Sequence, residues 1–187
     1  ALGVRTYLEL FEIPGVKRLV VSALPGRLAY GMIALATFFF VQDKTGSITL
    51  AGIATGVETI TSSLTAGFRG NLIDKWGQTR PLSIFVPSWV ALVIVLSSVS
   101  TPTAIVVVSG LIGLMSPPVN LSTRPLWRVL VGPENLRTAY ALDTTISSST
   151  IVAGPVLATA ISIQYSGSAA LWATATLMAI GGIAITQ

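Results

Sequence analysis

The chain has 187 residues, of which 52% are apolar and only 10% charged, where a soluble domain carries about a quarter charged residues. With no cysteine and no histidine it can build no disulfide framework, thiolate chemistry, haem ligation, histidine-based metal site or Ser-His nucleophile. A net charge of +4 would suggest nucleic acid in a soluble chain, but a mean hydropathy of +0.79 points instead to a polytopic membrane protein with no nucleic-acid partner.

In chain order, Val4–Val16 sets Tyr7, Leu8, Leu10 and Phe11 beside Glu9 and Glu12 ahead of Pro14-Gly15. This reads as a short interfacial helix, with a disordered start as the alternative. Runs of about 20 apolar residues then predict six spans: Leu19–Val41, Thr49–Phe68, Pro81–Ser100, Thr103–Leu126, Ala139–Ile163 and Ser168–Gln187. The fourth is interrupted by Pro117-Pro118 and Asn120 and is kept as one kinked span, because neighbouring helices can satisfy the carbonyls a proline frees. Pro25-Gly26 in the first span is a second expected interruption, of the kind found near binding regions in repeat-built transporters.

The bases fix an orientation. Arg5, Lys17, Arg18, Arg69, Lys75, Arg80, Arg124, Arg128 and Arg137 fall on one side of this six-span plan, against Lys44 on the other, offset by Asp43. The positive-inside rule makes the rich side cytoplasmic and puts both termini there. The remaining base, Arg27, lies inside the first span.

Within the spans, Arg27 and Glu58 are predicted at similar depth on consecutive helices, which makes an Arg27–Glu58 pair sterically reasonable. A charge near the bilayer centre costs at least about 2.5 kcal/mol, so such residues face a bundle interior or an aqueous cavity. The pair reads either as a substrate or proton site or as a structural lock between helices. Glu58 is favoured for function because burial can make a carboxyl titrate. Glu58, Thr61, Ser62 and Thr65 share one helical face, and Asp143, Ser147, Thr150, Gly154 and Ala158 share another. Such faces line a water-filled path or allow close helix packing. Asp143, about one turn inside the membrane, is expected to meet Arg124, Arg128 or the 70–80 turn as an inner gate.

That turn is the most specific stretch of the chain. Gly70-Asn-Leu-Ile-Asp74-Lys75-Trp-Gly77-Gln-Thr-Arg80 lies between two apolar segments, with Gly77 suited to a positive φ and Asp74 able to offset Lys75 and Arg80. The pattern G-x-x-x-D-[RK]-x-G-x-[RK]-[RK] resembles the loop between helices 2 and 3 of the major facilitator superfamily of secondary transporters. Gly70, Asp74, Lys75 and Gly77 match, and the closing basic pair is reduced to Thr79-Arg80. A second resemblance is to the G-x-x-x-G-P-x-x-G-G run in the fifth helix of the antiporter branch, of which Gly154-Pro155 is kept and the flanking glycines are replaced. The family's frequent arginine in the middle of the fourth helix has no counterpart in Val107–Met115.

The resemblance implies an all-α membrane fold: the N-terminal six-helix half, residues 1–187, of a twelve-helix protein built from 3+3 inverted repeats. It also implies that the chain is a fragment, or else a half-size protein working as a dimer, so that a second six-helix bundle is an expected partner. The implied function is proton-coupled export of small molecules across the plasma (inner) membrane by alternating access, without a cofactor. Gly70, Asp74, Lys75, Gly77 and Arg80 would steady one state as a gating loop, and Gly154 and Pro155 would bend their helix. Enzymatic function is not expected. A six-span intramembrane protease would need a nucleophile with a partner base, and Glu58 and Asp143 are predicted at depths too different for an acidic dyad. A non-transporting scaffold or receptor-like subunit is the alternative, and a soluble domain beyond Gln187 would favour it. The orientation is tested by cysteine labelling of intact cells: a cysteine at Ser47 reacts with an impermeant thiol reagent and one at Gln78 does not, whereas the reverse pattern overturns it.

Overall fold

The computed structural model describes residues 3–77, 79–119 and 123–186, so Gln78, Asn120 and Gln187 of the sequence expectations lie outside the described residues. Eight helices are described: α1 (Val4–Leu10), α2 (Val16–Thr45), α3 (Ile48–Trp76), α4 (Thr79–Ser98), α5 (Pro102–Leu114), α6 (Arg124–Leu130), α7 (Pro133–Gln164) and α8 (Gly167–Thr186). Their ends follow local chemistry. Proline begins α5 and α7, where a missing N–H costs nothing. The Ser47 hydroxyl caps α3 by accepting from the Leu50 amide at 3.0 Å. Gly46 (φ 70°) closes α2, and Gly77 (φ 74°) closes α3 in the region that L side chains avoid.

The expected six spans are corrected to four. Among the described residues α2, α4, α7 and α8 are long and apolar enough to cross a membrane. The second expected span lies inside α3, which at 29 residues is about 43 Å long. Length is therefore not its failing. Glu58, Arg69, Asp74 and Lys75, with the hydroxyls of Thr55, Thr59, Thr61, Ser62, Ser63 and Thr65, dilute its apolar content. The fourth expected span breaks instead of kinking. α5 ends at Leu114 after 13 residues, about 20 Å against the roughly 30 Å of a hydrocarbon core. Pro117 and Pro118 have no amide to donate and disfavour helix in the residue before them, so the chain leaves the helix at Met115 and is irregular through Pro118. A six-span bundle forming half of a twelve-helix major facilitator fold is thus not the arrangement observed. Pro25 does not interrupt α2, which runs through it; α7 continues through Pro155, where a bend and not a break is expected.

α2 lies at the centre and packs against α8, α7 and α3; α3 also packs on α5, and α4 on α8. Met32, Phe40, Trp89, Leu171 and Met178 are buried in the main apolar cluster. A second cluster at the base-rich end joins Leu10 of α1 to Val16, Leu19, Trp127, Ala139 and Leu142, so the N-terminal helix is packed on the body. The interfacial helix expected over Val4–Val16 is helical only as far as Leu10.

Two crossings depend on missing side chains. A Cβ at Gly154 of α7 would stand 2.6 Å from the carbonyl carbon of Gly31 in α2, and one at Gly181 of α8 would stand 2.5 Å from the Gly26 amide nitrogen. Small residues at such contacts let backbones meet, the chief source of helix association where lipid removes the hydrophobic drive. Gly154→Ala is expected to destabilise the protein by about 1–3 kcal/mol through overpacking. Gly56→Ala, where a Cβ meets nothing within 4 Å, should be neutral or slightly stabilising through helix propensity. Thermal unfolding of the two variants in detergent checks the contrast.

Candidate functional site

Three buried polar groupings lie among the helices, and they do not pair as the sequence suggests. Arg27, in α2, does not meet Glu58. Its Nη2 donates to Asp143 Oδ1 of α7 at 2.6 Å and to Thr123 Oγ1 at 2.9 Å. Trp127 Nε1 donates to the same Asp143 oxygen at 3.0 Å, and the Thr123 hydroxyl donates to it at 3.2 Å. Arg27 and Asp143 are both buried, and Arg27 Nε has no hydrogen-bond partner among the described residues. The reason lies in the register of α2. The face that carries Arg27 and Gly31 turns toward α7, where Asp143 and Gly154 sit on the face expected to be polar or small. Asp143, Thr150, Gly154 and Ala158 are buried, so most of that face is used for packing.

Glu58 belongs to a separate grouping. The Thr37 hydroxyl of α2 donates to its Oε2 at 2.9 Å, while Oε1 accepts no hydrogen bond from any described residue. Glu58 is 4% exposed and lines a cavity of about 180 Å³ between α2, α3 and the end of α5. Thr59, Ser62, Ser63 and Ser116 give the cavity hydroxyls; Tyr30, Ile33, Ala34 and Ile112 give it apolar walls. The expected face of Glu58, Thr61, Ser62 and Thr65 is divided in use. Thr61 donates to the Gly110 carbonyl of α5 at 3.0 Å, and Thr65 bonds back to the Thr61 carbonyl of its own helix. α5 approaches closely here because Gly113, which has no side chain, lies against the Glu58 carbonyl.

Arg69 makes the third grouping, and sequence reasoning missed it. Placed by hydropathy at the end of a span, it counts as one more base of the cytoplasmic side. Instead it is buried, donating to the Ser116 carbonyl of the irregular segment after α5 and to the Ser62 carbonyl and hydroxyl. Its spacing from Ser62 (seven residues, two helical turns) is the signal that was available. Arg69 thus supplies donors where Pro117 and Pro118 end the helix, and it ties together two residues that line the Glu58 cavity.

The remaining expected site residues are not drawn together. Asp74, Lys75, Gly77 and Arg80 are exposed and Gly70 is half-buried, but the expected turn is shorter than residues 70–80: α3 stays helical to Trp76, and Arg80 already lies in α4. No ion pair among the described residues joins Asp74 to Lys75 or Arg80. Arg124 is exposed and does not meet Asp143, and Arg128 donates to the Tyr140 hydroxyl at 3.0 Å. Among the described residues no group of three or more acidic, His or Cys side chains is placed to hold a metal ion.

The first grouping is testable as an ion pair. Asp143→Asn leaves Arg27 buried without its counter-charge, at a cost of about 3–5 kcal/mol, and Arg27→Gln in the same background should recover most of the loss. Glu58→Gln leaves the Arg27–Asp143 pair intact and should cost less than Asp143→Asn. Melting temperatures of the four proteins in detergent decide it.

No family model matches the chain. Over 158 residues it is 30% identical to the uncharacterized MFS-type transporter y4rN of Sinorhizobium fredii, an alignment covering 82% of this chain. The chain spans 39% of that protein's length. This similarity is to a transporter of the superfamily that the 70–80 turn resembles. With its four apolar helices of membrane-crossing length, the chain is a multi-pass membrane protein.

Proposed function

We propose that this chain is part of a secondary active transporter that exports small molecules in exchange for protons by alternating access. One observation carries the reading: Glu58 is a buried carboxylate with an uncommitted oxygen on a hydroxyl-lined cavity. A carboxyl so placed is costly unless it serves to exchange a proton or hold a solute. The similarity to an MFS-type transporter supports it. Arg27 is assigned away from the transported species, as the partner that keeps Asp143 and α7 in place.

In this reading the base-rich end of the helices, with Lys17, Arg18, Lys75, Arg80 and Arg137, faces the cytoplasm of a cell whose plasma membrane holds the protein. Gly70, Asp74, Lys75, Gly77 and Arg80 would act at that face as a loop whose charges engage a partner in one state of the cycle. The partner is a second helical bundle, supplied by further chain or by a second copy. An open groove on α7, lined by Thr144, Thr145, Ser148, Ser149, Val152 and Ala153, offers that bundle a hydroxyl-rich face.

The test is flux through the full-length protein in vesicles with an imposed proton gradient. Glu58→Gln should abolish uphill, proton-driven movement while leaving downhill exchange in part, because the amide keeps the side chain's size and loses its proton exchange. Uphill transport by the variant at the parent's rate would sink the proton-coupling assignment.

A further inference from the structure

The Glu58 cavity holds an acidic group without a basic partner. Among the described residues the other buried ionic side chains are committed: Arg27 and Asp143 to each other, and Arg69 to carbonyl oxygens of Ser62 and Ser116. Among the described residues no basic side chain reaches Glu58, whose one hydrogen bond comes from the neutral Thr37 hydroxyl. A buried carboxyl in this position is complemented by its own proton or by a cation from outside the chain.

The walls say what kind of cation. A bare metal ion needs a close shell of some six or more oxygens and gains nothing from hydrocarbon. This cavity instead sets its carboxylate and hydroxyls against Ile33, Ala34, Ile112 and the ring of Tyr30. Acceptors beside apolar wall suit an ammonium group on a hydrocarbon body, and an aromatic ring adds attraction for the cation. The volume suits a small body: a cavity of about 150 Å³ accepts a benzene ring, so about 180 Å³ holds a ring with a short aminomethyl arm, with the side toward Thr59 and Ser63 left open.

We propose that the cavity between α2, α3 and the end of α5 binds a small protonated primary amine, with its ammonium on Glu58 Oε1 and its body against Tyr30, Ile33 and Ile112. The proposal rests on the reading of Glu58 as the working carboxylate and names the solute class that it holds. Ser62 and Ser116 accept from the remaining ammonium hydrogens, and Arg69 positions both through the carbonyls it binds.

The experiment is equilibrium binding to the full chain in lipid nanodiscs, with three probes of nearly one shape: benzylamine, benzyl alcohol and benzoate. Benzylamine should bind at least about tenfold more tightly than benzyl alcohol, the difference a charge-assisted hydrogen bond supplies in a buried site. Benzoate should not bind. Glu58→Gln should remove the preference for the amine while leaving benzyl alcohol unchanged. Ala34→Leu fills the cavity without touching a charge and should abolish binding of both. Equal affinity for amine and alcohol in the unaltered protein overturns the proposal, as does undiminished amine binding by a folded Glu58→Gln. Vesicle flux separates the two readings. A protein that binds benzylamine but moves no solute defeats transport alone; one that drives other solutes and ignores benzylamine defeats the amine site alone.

Discussion

The ion pair between Arg27 and Asp143 sets how the central helix meets its neighbours. It joins α2 to α7 inside an apolar body, where an unmatched charge would cost several kcal/mol, and it gathers Thr123 and Trp127 onto the same carboxylate. Further along α2, Gly31 lies against Gly154 with no side chain between them. An ionic contact followed by a backbone contact leaves the two helices little freedom in register. The second glycine crossing, Gly26 on Gly181, then positions α8 on the same helix. α2, α7 and α8 are therefore held by contacts that tolerate neither added volume nor lost charge.

With Arg27 satisfied in that way, the positions of the other charges follow. Glu58 sits on α3, whose polar attachments lead to α5 through Thr61 and to the segment after α5 through Arg69. Sequence depth alone suggested that Arg27 and Glu58 should meet. Depth does not report azimuth, and the face of α2 that carries Arg27 is turned to α7. Glu58 is reached from α2 by Thr37, ten residues further along. The result is an ion pair at one place, and at another a carboxyl and an arginine, Glu58 and Arg69, each held by neutral groups.

Hydropathy and turn chemistry made a good part of this legible. Four apolar helices could be read from composition, and so could the reversal at Gly77, because runs of apolar residues and a glycine at a reversal are local signals. The rest depended on non-local facts. A window that counts apolar residues merges α5 with the segment beyond it, although Pro117-Pro118 ends the helix at 13 residues. The same window passes over the hydroxyls and charges that separate α3 from the four apolar helices. Pro25 looked like an equal interruption and is none, since α2 continues through it. A single proline that packing can accommodate differs from two in succession. The pattern at residues 70–80 was the most distinctive in the sequence, yet in the folded chain most of it is exposed and free of ion pairs among the described residues.

The bond from Thr37 to Glu58 has a wider bearing. It is the single side-chain hydrogen bond among the described residues that joins α2 to α3. α3 is instead fastened to α5 and to the irregular segment after it, while α2 is fastened to α7 and, through Asp43 on the Gly167 amide at 2.8 Å, to α8. The molecule thus has a seam between α2 and α3, stitched by a hydroxyl on a carboxylate. Whatever occupies or neutralises that carboxylate acts on the stitch, so chemistry at one side chain is felt as adhesion between two groups of helices.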